Sequence, residues 1–254
     1  GVTRIAAECL DADGVPVNLM PSRAFECLDD HHWDRPRLLP VLDEEYFETT
    51  DVLEIATAAA LRGSGLRFAE LGAGQVGFWA ARSAVAHARI AAPGAGCVAL
   101  LVDPSLKNTS RLRQHWTDNV HGCLLLVLGD KLGSDPAPSL AGLLSSLAEV
   151  AGDAGANAPW DLVDLDIQGD ELPVLRESLG RLGPLARRLH VSTHGRQMHW
   201  EIVGKLRDAG WQVLFDYPPL AVANIGAYGP FLARDGHISA VPPELAAEFA
   251  RESA

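Results

Sequence analysis

The sequence lacks the features that identify membrane, repeat and secreted proteins. It contains no run of eighteen apolar residues, no internal repeat and no low-complexity segment. These absences argue against a membrane-spanning helix, a solenoid and a disordered chain. The first residues also lack the basic and then apolar layout of a secretory signal peptide. We therefore expect a cytoplasmic protein without a membrane partner.

Cysteine is scarce, and its spacing does not suit a metal site or a disulfide framework. The four cysteines are scattered along the chain, and none forms a C-x-x-C pair. Cys97 and Cys123 lie at or near apolar runs, where a thiol behaves as a small hydrophobic group. We therefore expect the cysteines to form neither a structural zinc site nor disulfides.

Positive charge is also in short supply. Lys and Arg together number 21 against 33 Asp and Glu, which gives a formal net charge of −12. A surface of this sign repels phosphate backbones, so we expect no nucleic-acid partner. The sequence leaves open whether the chain forms a homo-oligomer.

Predicted strands alternate with predicted helices after an irregular beginning. Residues 1–42 form an N-terminal extension with many turn signals, and we interpret them as a candidate lid. Residues 43–254 predict one domain that starts with a helix and continues with short apolar strands separated by helices. Such strands form a parallel sheet covered on both faces. The sequence thus predicts an α/β, Rossmann-like fold with a mostly parallel seven-stranded sheet.

The first predicted strand ends in a glycine turn that follows an acidic residue. Residues 72–77, GAGQVG, match the pattern G-x-G-x-x-G, which is typical of NAD or FAD sites. Glu70, two residues before the turn, would be a repulsive neighbour for a pyrophosphate. It favours a cationic nucleoside without phosphate, such as S-adenosylmethionine. Asp103, which closes the second strand, suits the ribose hydroxyls of either cofactor.

Several segments together resemble the FkbM family of class I S-adenosylmethionine-dependent methyltransferases. They are FAELGAGQVG (68–77), LLVDPS (100–105), DLVDLDIQGDELPVL (161–175), LHVSTHG (189–195) and LRDAGWQV (206–213). The resemblance runs from Asp43 to Pro219 and implies methyl transfer to an oxygen of a small molecule, such as a natural product or a sugar. Asp164 and Gln168 depart from the family pattern, which usually has Lys and Glu there.

The resemblance also implies a set of residues that bind the cofactor. Glu70 would hold the ammonium of the methionine end, Gly72 and Gly74 would let the backbone approach the ligand, and Asp130 would lie near the adenine. The full predicted set comprises Glu70, Gly72, Ala73, Gly74, Asp103, Pro104, Asp130 and Asp166.

Asp166 and His194 are the predicted catalytic pair, because they follow the fourth and fifth strands. His194 suits a general base, since its ordinary pKa of about 6.5 lets it accept a proton at neutral pH. The alternative role of this pair is to bind a divalent metal ion (Mg, Mn or Fe), as in catechol-type methyltransferases. We interpret five other histidines as structural: His87, His115, His121, His199 and His237.

Three further residues are candidates for binding the acceptor. Arg196 and Gln168 lie close to the catalytic pair in sequence, and Trp33 belongs to the candidate lid. Two rival functions stay open. One is an NAD(P)-dependent oxidoreductase, which the literal glycine pattern favours. The other is a non-catalytic module that binds S-adenosylmethionine.

Overall fold

The computed structural model describes residues 45–132, 139–150, 158–224 and 230–246. Within them lie six longer helices: α1 Glu45–Leu61, α2 Phe78–Ile90, α3 Leu106–Asn119, α4 Leu140–Val150, α5 Glu171–Leu182 and α6 Arg196–Asp208. None of these helices combines the length and apolar character needed to cross a bilayer. Residues 1–42, and with them Trp33 and the lid interpretation, lie outside the described residues.

Nine strands accompany these helices in the described ranges. They are β1 Leu66–Leu71, β2 Cys97–Val102, β3 Leu124–Leu128, β4 Leu162–Leu165, β5 Leu189–Thr193, β6 Gln212–Tyr217, β7 Ala221–Asn224, β8 Pro230–Ala233 and β9 Gly236–Val241. Strands β7 and β8 form a separate antiparallel pair, which the sequence analysis did not predict.

The other seven strands form one sheet in the order β3-β2-β1-β4-β5-β9-β6. Only β9 runs antiparallel to its neighbours in this sheet. The predicted Rossmann-like, mostly parallel seven-stranded sheet of the class I methyltransferase fold is therefore confirmed. The strand order reverses between β1 and β4, and ligands of such sheets bind in the crevice outside the carboxyl ends at that point.

Apolar side chains cover both faces of the sheet, because successive residues of a strand point to opposite sides. One face packs against α1, α2 and α3 through residues such as Phe68, Leu101, Leu162, Val52 and Trp116. The other packs against α4, α5 and α6 through Leu71, Val163, Val191, Leu144 and Ile202. The central strands β1, β2, β4 and β5 are thus buried on both sides, as their continuous apolar sequences predict, while the edge strands β3 and β6 are only partly buried.

A row of polar residues interrupts the apolar packing on the α1 side. Glu70, Asp164, His190 and Ser239 are successive partners across β1, β4, β5 and β9, so their side chains lie on the same face. All four are buried. Buried polar groups are costly unless they find partners, so this row needs hydrogen bonds or charges from the helices above it.

Asp51 of α1 supplies several of these bonds. Its carboxylate accepts hydrogen bonds from Arg188, from His190 Nδ1 at 2.8 Å and from Ser239 Oγ at 2.9 Å. Burial opposes the charge on Asp51, but the His190 hydrogen bond and the Arg188 guanidinium outweigh it and lower the pKa of Asp51. Asp51 therefore fastens α1 to β5 and β9 beside the candidate site.

The expectation about the cysteines is wrong for one pair. Cys97 and Cys123 form a disulfide with a Cα–Cα distance of 4.4 Å. Cys97 begins β2, and Val98 pairs with Leu124 of β3, so the two cysteines face each other across adjacent strands. Their separation of 26 residues does not reveal this, because the register of two strands is not readable from cysteine spacing.

Candidate active site

The glycine turn joins β1 to α2 and is pressed against the end of β4. Gly72 and Gly74 have φ angles of +91° and +59°, which favour glycine. The amides of Gly72 and Ala73 donate to the carbonyl of Val102 at 2.9 and 3.1 Å. A Cβ atom on Gly72 would lie 1.6 Å from the backbone oxygen of Asp166. The turn can therefore approach β4 this closely only with glycine at position 72.

Glu70 lies beneath this turn with its carboxylate on the first amides of α2. Glu70 Oε2 accepts a hydrogen bond from the amide of Ala80 at 2.8 Å, and only 4% of the residue is exposed. Burial raises the pKa of Glu70 to about 8, although the amides of Phe78, Trp79 and Ala80 oppose the shift. The protein's own carboxyl group thus occupies the helix terminus that binds phosphate in dinucleotide sites.

Asp103 joins the glycine turn to the start of α3. One carboxylate oxygen accepts from the amide of Gly74 at 3.0 Å. The other accepts from the amide of Ser105 at 2.8 Å and from Asn108 Nδ2 at 3.0 Å. A carboxylate offers about four acceptor positions, so three protein donors leave room for one ligand hydroxyl.

The remaining predicted cofactor residues are exposed and follow their strands as expected. Pro104 comes directly after Asp103, and Asp130 follows β3. One oxygen of Asp130 accepts a hydrogen bond from the amide of Lys131 at 2.8 Å. This local bond fixes the carboxylate at the carboxyl edge of the sheet.

His194 lies between two carboxylates at the ends of β4 and β5. Its Nδ1 is 3.1 Å from Glu171 Oε1, and its Nε2 is 3.3 Å from Asp166 Oδ1. Glu171 is fully buried, and its carboxylate also accepts from the amides of Ile167 and Gly169, both at 3.1 Å. The structure therefore brings the predicted pair together and adds a third member, Glu171.

The contacts with Glu171 and Asp166 shift the pKa of His194. The hydrogen bond to Glu171 raises the pKa of His194, and the Asp166 and Glu171 charges reinforce it against the opposing effect of burial. Burial also raises the pKa of Asp166, and the His194 charge opposes that shift. With Nδ1 bonded to Glu171, Nε2 is the ring nitrogen that faces Asp166, and this atom is buried without a hydrogen-bond partner among the described residues.

Of the two described residues predicted to bind the methyl acceptor, one contacts the group around His194 and the other is near it in sequence. Gln168 is exposed, and its Nε2 donates to Asp166 Oδ1 at 3.0 Å. Arg196 is the exposed first residue of α6, two positions after His194. Gln168 therefore contacts Asp166 of the predicted pair directly, while Arg196 lies close to His194 in sequence.

Two features near the site were not predicted from the sequence: the contact of Glu171 with His194 and the burial of the Asp164 carboxyl group. Glu171 begins α5, where an acidic residue ordinarily complements the helix dipole, so its position alone gave no reason to expect a contact with His194. Asp164 is buried in the middle of the sheet, and its carboxylate has no hydrogen-bond partner among the described residues. The signal for both was their proximity in sequence to Asp166.

Comparison with known proteins agrees with this fold. No protein-family model matches the chain. A relative from Jannaschia sp. (strain CCS1), described as a "Putative methyltransferase", is 31% identical over 84 residues, or 33% of this chain. The matched segment covers only 29% of that relative's length. This relative supports the methyltransferase class in general, and the FkbM family is not confirmed.

Solved structures with similar folds are more distant. The human methyltransferase 10 domain containing protein is 10% identical with a TM-score of 0.47, and the match covers 81% of this chain and 85% of that chain. A "putative RNA methyltransferase" from Pyrococcus horikoshii is 13% identical with a TM-score of 0.43, covering 74% and 81%. The prediction that this chain has no nucleic-acid partner stays a prediction.

The contact between the glycine turn and β4 predicts a large effect of Gly72→Ala. The new methyl group would collide with Asp166, so the variant should lose clearly more than the roughly 1–3 kcal/mol that a strained φ costs alone. Urea denaturation measures the free energy of unfolding. Gly94→Ala is the matched control, because Gly94 has φ +86° and no atom near its missing Cβ. Equal losses in the two variants would contradict the close contact.

The carboxylates around His194 predict how it titrates. We expect an NMR titration to give His194 a pKa above about 6.5. The protonated ring then stabilises the fold at low pH, and this contribution is lost as the pH rises through the pKa of folded His194. Glu171→Gln should lower the pKa of His194, whereas Glu177→Gln on the exposed side of α5 should leave it unchanged. A pKa below 6.5 in the unmodified protein would refute the arrangement.

Proposed function

We propose that this chain transfers a methyl group from S-adenosylmethionine to a hydroxyl oxygen of a small molecule. The observation that carries the proposal is the group of Asp166, Glu171 and His194 against the glycine turn. This group holds His194 Nε2, a buried nitrogen without a hydrogen-bond partner among the described residues, near the carboxyl ends of β4 and β5, where ligands of parallel sheets bind. The FkbM resemblance favours a natural product or a sugar as the acceptor.

The surroundings of the glycine turn support S-adenosylmethionine over NAD(P). A pyrophosphate needs the free amides at the start of α2, and Glu70 already holds the amide of Ala80. An oxidoreductase would have to displace this buried carboxyl group. A donor with an ammonium and a sulfonium, and without phosphate, leaves the bond intact.

The other predicted cofactor residues take roles that their contacts allow. Asp103 holds the turn and offers its remaining acceptor position to a ribose hydroxyl. Gly72, Ala73 and Gly74 bring the backbone to the ligand, and Pro104 and Asp130 border the adenine. Asp166 lies between the cofactor and the acceptor and contributes negative charge near the sulfonium.

His194 acts as the general base in the proposed reaction. Glu171 accepts a hydrogen bond from Nδ1–H, which leaves the lone pair of Nε2 for the acceptor hydroxyl. S-adenosylmethionine supplies an electrophilic methyl group on a positively charged sulfur. As the acceptor oxygen bonds to the methyl carbon, the carbon–sulfur bond breaks and its electron pair stays on sulfur. Nε2 takes the hydroxyl proton, and Asp166 and Glu171 stabilise the resulting imidazolium.

The alternative role of this group, binding Mg, Mn or Fe, fits its hydrogen bonds less well. One ligand atom from each of Asp166, Glu171 and His194 lies within 4.8 Å of the others, so the spacing suits a cation. The carboxylate of Glu171, however, already accepts from two backbone amides and His194 Nδ1. A cation on Glu171 Oε1 would have to displace one of these donors, whereas Oε2 accepts, within the described part of the chain, only from the amide of Gly169. We therefore derive no step through a metal at this place.

Formation of adenosylhomocysteine tests the proposal. The protein is incubated with S-adenosylmethionine and separate sets of polyhydroxylated sugars, phenolic compounds and RNA. We expect turnover with a small hydroxyl compound, and His194→Ala should lower kcat by about 10²–10⁴-fold because the base is lost. His121→Ala, at an exposed loop position, should keep full turnover.

Each contrary outcome identifies a different alternative. Methylation of RNA alone would overturn the small-molecule acceptor. Binding of S-adenosylmethionine without turnover on any acceptor set would favour the non-catalytic module. Hydride transfer with NAD(P) would favour the oxidoreductase. Unchanged turnover in His194→Ala would remove His194 from the mechanism.

A further inference from the structure

A second cluster of ligating groups lies under α1, and the proposed methyl transfer does not use it. It consists of Glu48 from α1, His190 from β5 and His237 from β9, and at least nine-tenths of each residue is buried. His190 Nε2 is 3.4 Å from His237 Nδ1, which is 3.3 Å from Glu48 Oε1. One donor atom from each residue lies within 4.8 Å of the others.

The orientation of His190 leaves a lone pair facing this cluster. His190 Nδ1 bonds to Asp51 Oδ2 at 2.8 Å, and in the neutral ring with its proton on Nδ1 the lone pair of Nε2 faces the cluster. Asp51 is itself held by Arg188 and Ser239. A carboxylate on the far nitrogen of a histidine is the arrangement that orients metal-binding imidazoles in proteins.

Unpartnered carboxyl oxygens beside the cluster point to a missing positive charge. Asp164 pairs with His190 in the sheet register, is 2% exposed, and has no hydrogen-bond partner for either oxygen within the described ranges. Glu48 Oε2 is likewise buried without such a partner. Buried carboxyl groups are normally hydrogen-bonded, paired or bound to a metal. A divalent cation in the cluster would give the Glu48 carboxyl group a partner, and its positive charge would lie near Asp164, the register partner of His190.

We propose that Glu48, His190 and His237 bind a divalent transition-metal cation of the Zn²⁺ class. The separations of 3.3 and 3.4 Å match the edge of a tetrahedron around zinc, about 3.3–3.4 Å for bonds of about 2.0–2.1 Å. Two imidazoles and a carboxylate suit Zn, Fe or Mn better than Mg or Ca.

The burial of the cluster indicates a structural role for the ion. Structural zinc sites are closed, whereas catalytic ones keep an open position. Here the ligands come from α1 on one side and from β5 and β9 on the other, so the ion would fasten the first helix to the sheet. It would do so beside Asp51, which already joins the same elements.

The metal content of the full chain tests this site without reference to methyl transfer. Protein is freed of metal with a chelator, titrated with Zn²⁺ and analysed by mass spectrometry of the elements and by thermal unfolding. We expect one tightly bound Zn²⁺ per chain and a higher Tm with Zn²⁺. His237→Gln and Glu48→Gln should weaken binding by more than about 100-fold, the upper range for a second-layer change.

His194→Ala is the matched control, because it removes a ligand from the other candidate cluster and should leave Zn²⁺ binding intact. Loss of Zn²⁺ in His194→Ala together with retention in His237→Gln would overturn the proposal. So would a folded unmodified chain that binds no Zn²⁺. If both ligand variants fail to fold, the test is the Tm of the unmodified protein. A Tm that does not change with Zn²⁺ contradicts the site. A saturable rise in Tm with Zn²⁺ that Mg²⁺ does not reproduce supports it.

Discussion

The bond between Glu70 and the first amides of α2 is the interaction on which the rest of the site depends. The buried carboxyl group of Glu70 accepts a hydrogen bond from an amide at the start of α2 that would otherwise lack a partner. The glycine turn can therefore close over the helix terminus without a bound phosphate. Gly72 then packs against the backbone of Asp166, which brings the end of β4 to the turn. His194 and Glu171 meet Asp166 there. The proposed choice of cofactor and the position of the proposed base therefore have one structural origin.

Much of this architecture was predictable because it depends on local patterns. Continuous apolar strands separated by helices predicted the parallel sheet, and the turn at Gly72 was recognisable from its glycines. The disulfide between Cys97 and Cys123 was not predictable, because it depends on the register of β2 and β3. The contact of Glu171 with His194 joins two segments 23 residues apart through the packing of α5 beside β5. Side-chain partners set by tertiary packing leave no periodic trace in the sequence.

The two histidine clusters contain the same kinds of side chain, histidine beside carboxylates, but they differ in how deeply the histidines are buried. His194 has two carboxylate neighbours, and 20% of its side chain is exposed, although its Nε2 atom is buried. His190 and His237 have carboxylate neighbours too, but their side chains are 1% exposed. Burial disfavours the charged imidazole and lowers the pKa of His237 well below its usual value, which suits a neutral ligand.

Calorimetric titration with adenosylhomocysteine and with NAD⁺ tests the central claim, that Glu70 selects a cationic nucleoside without phosphate. The account predicts that adenosylhomocysteine binds and NAD⁺ does not. Because the pKa of Glu70 is raised to about 8, the ligand's ammonium should expel its proton at pH 7, seen as heat that varies with the buffer. Glu70→Gln should abolish that proton release. Binding of NAD⁺ alone, or proton release that persists in Glu70→Gln, would contradict the claim.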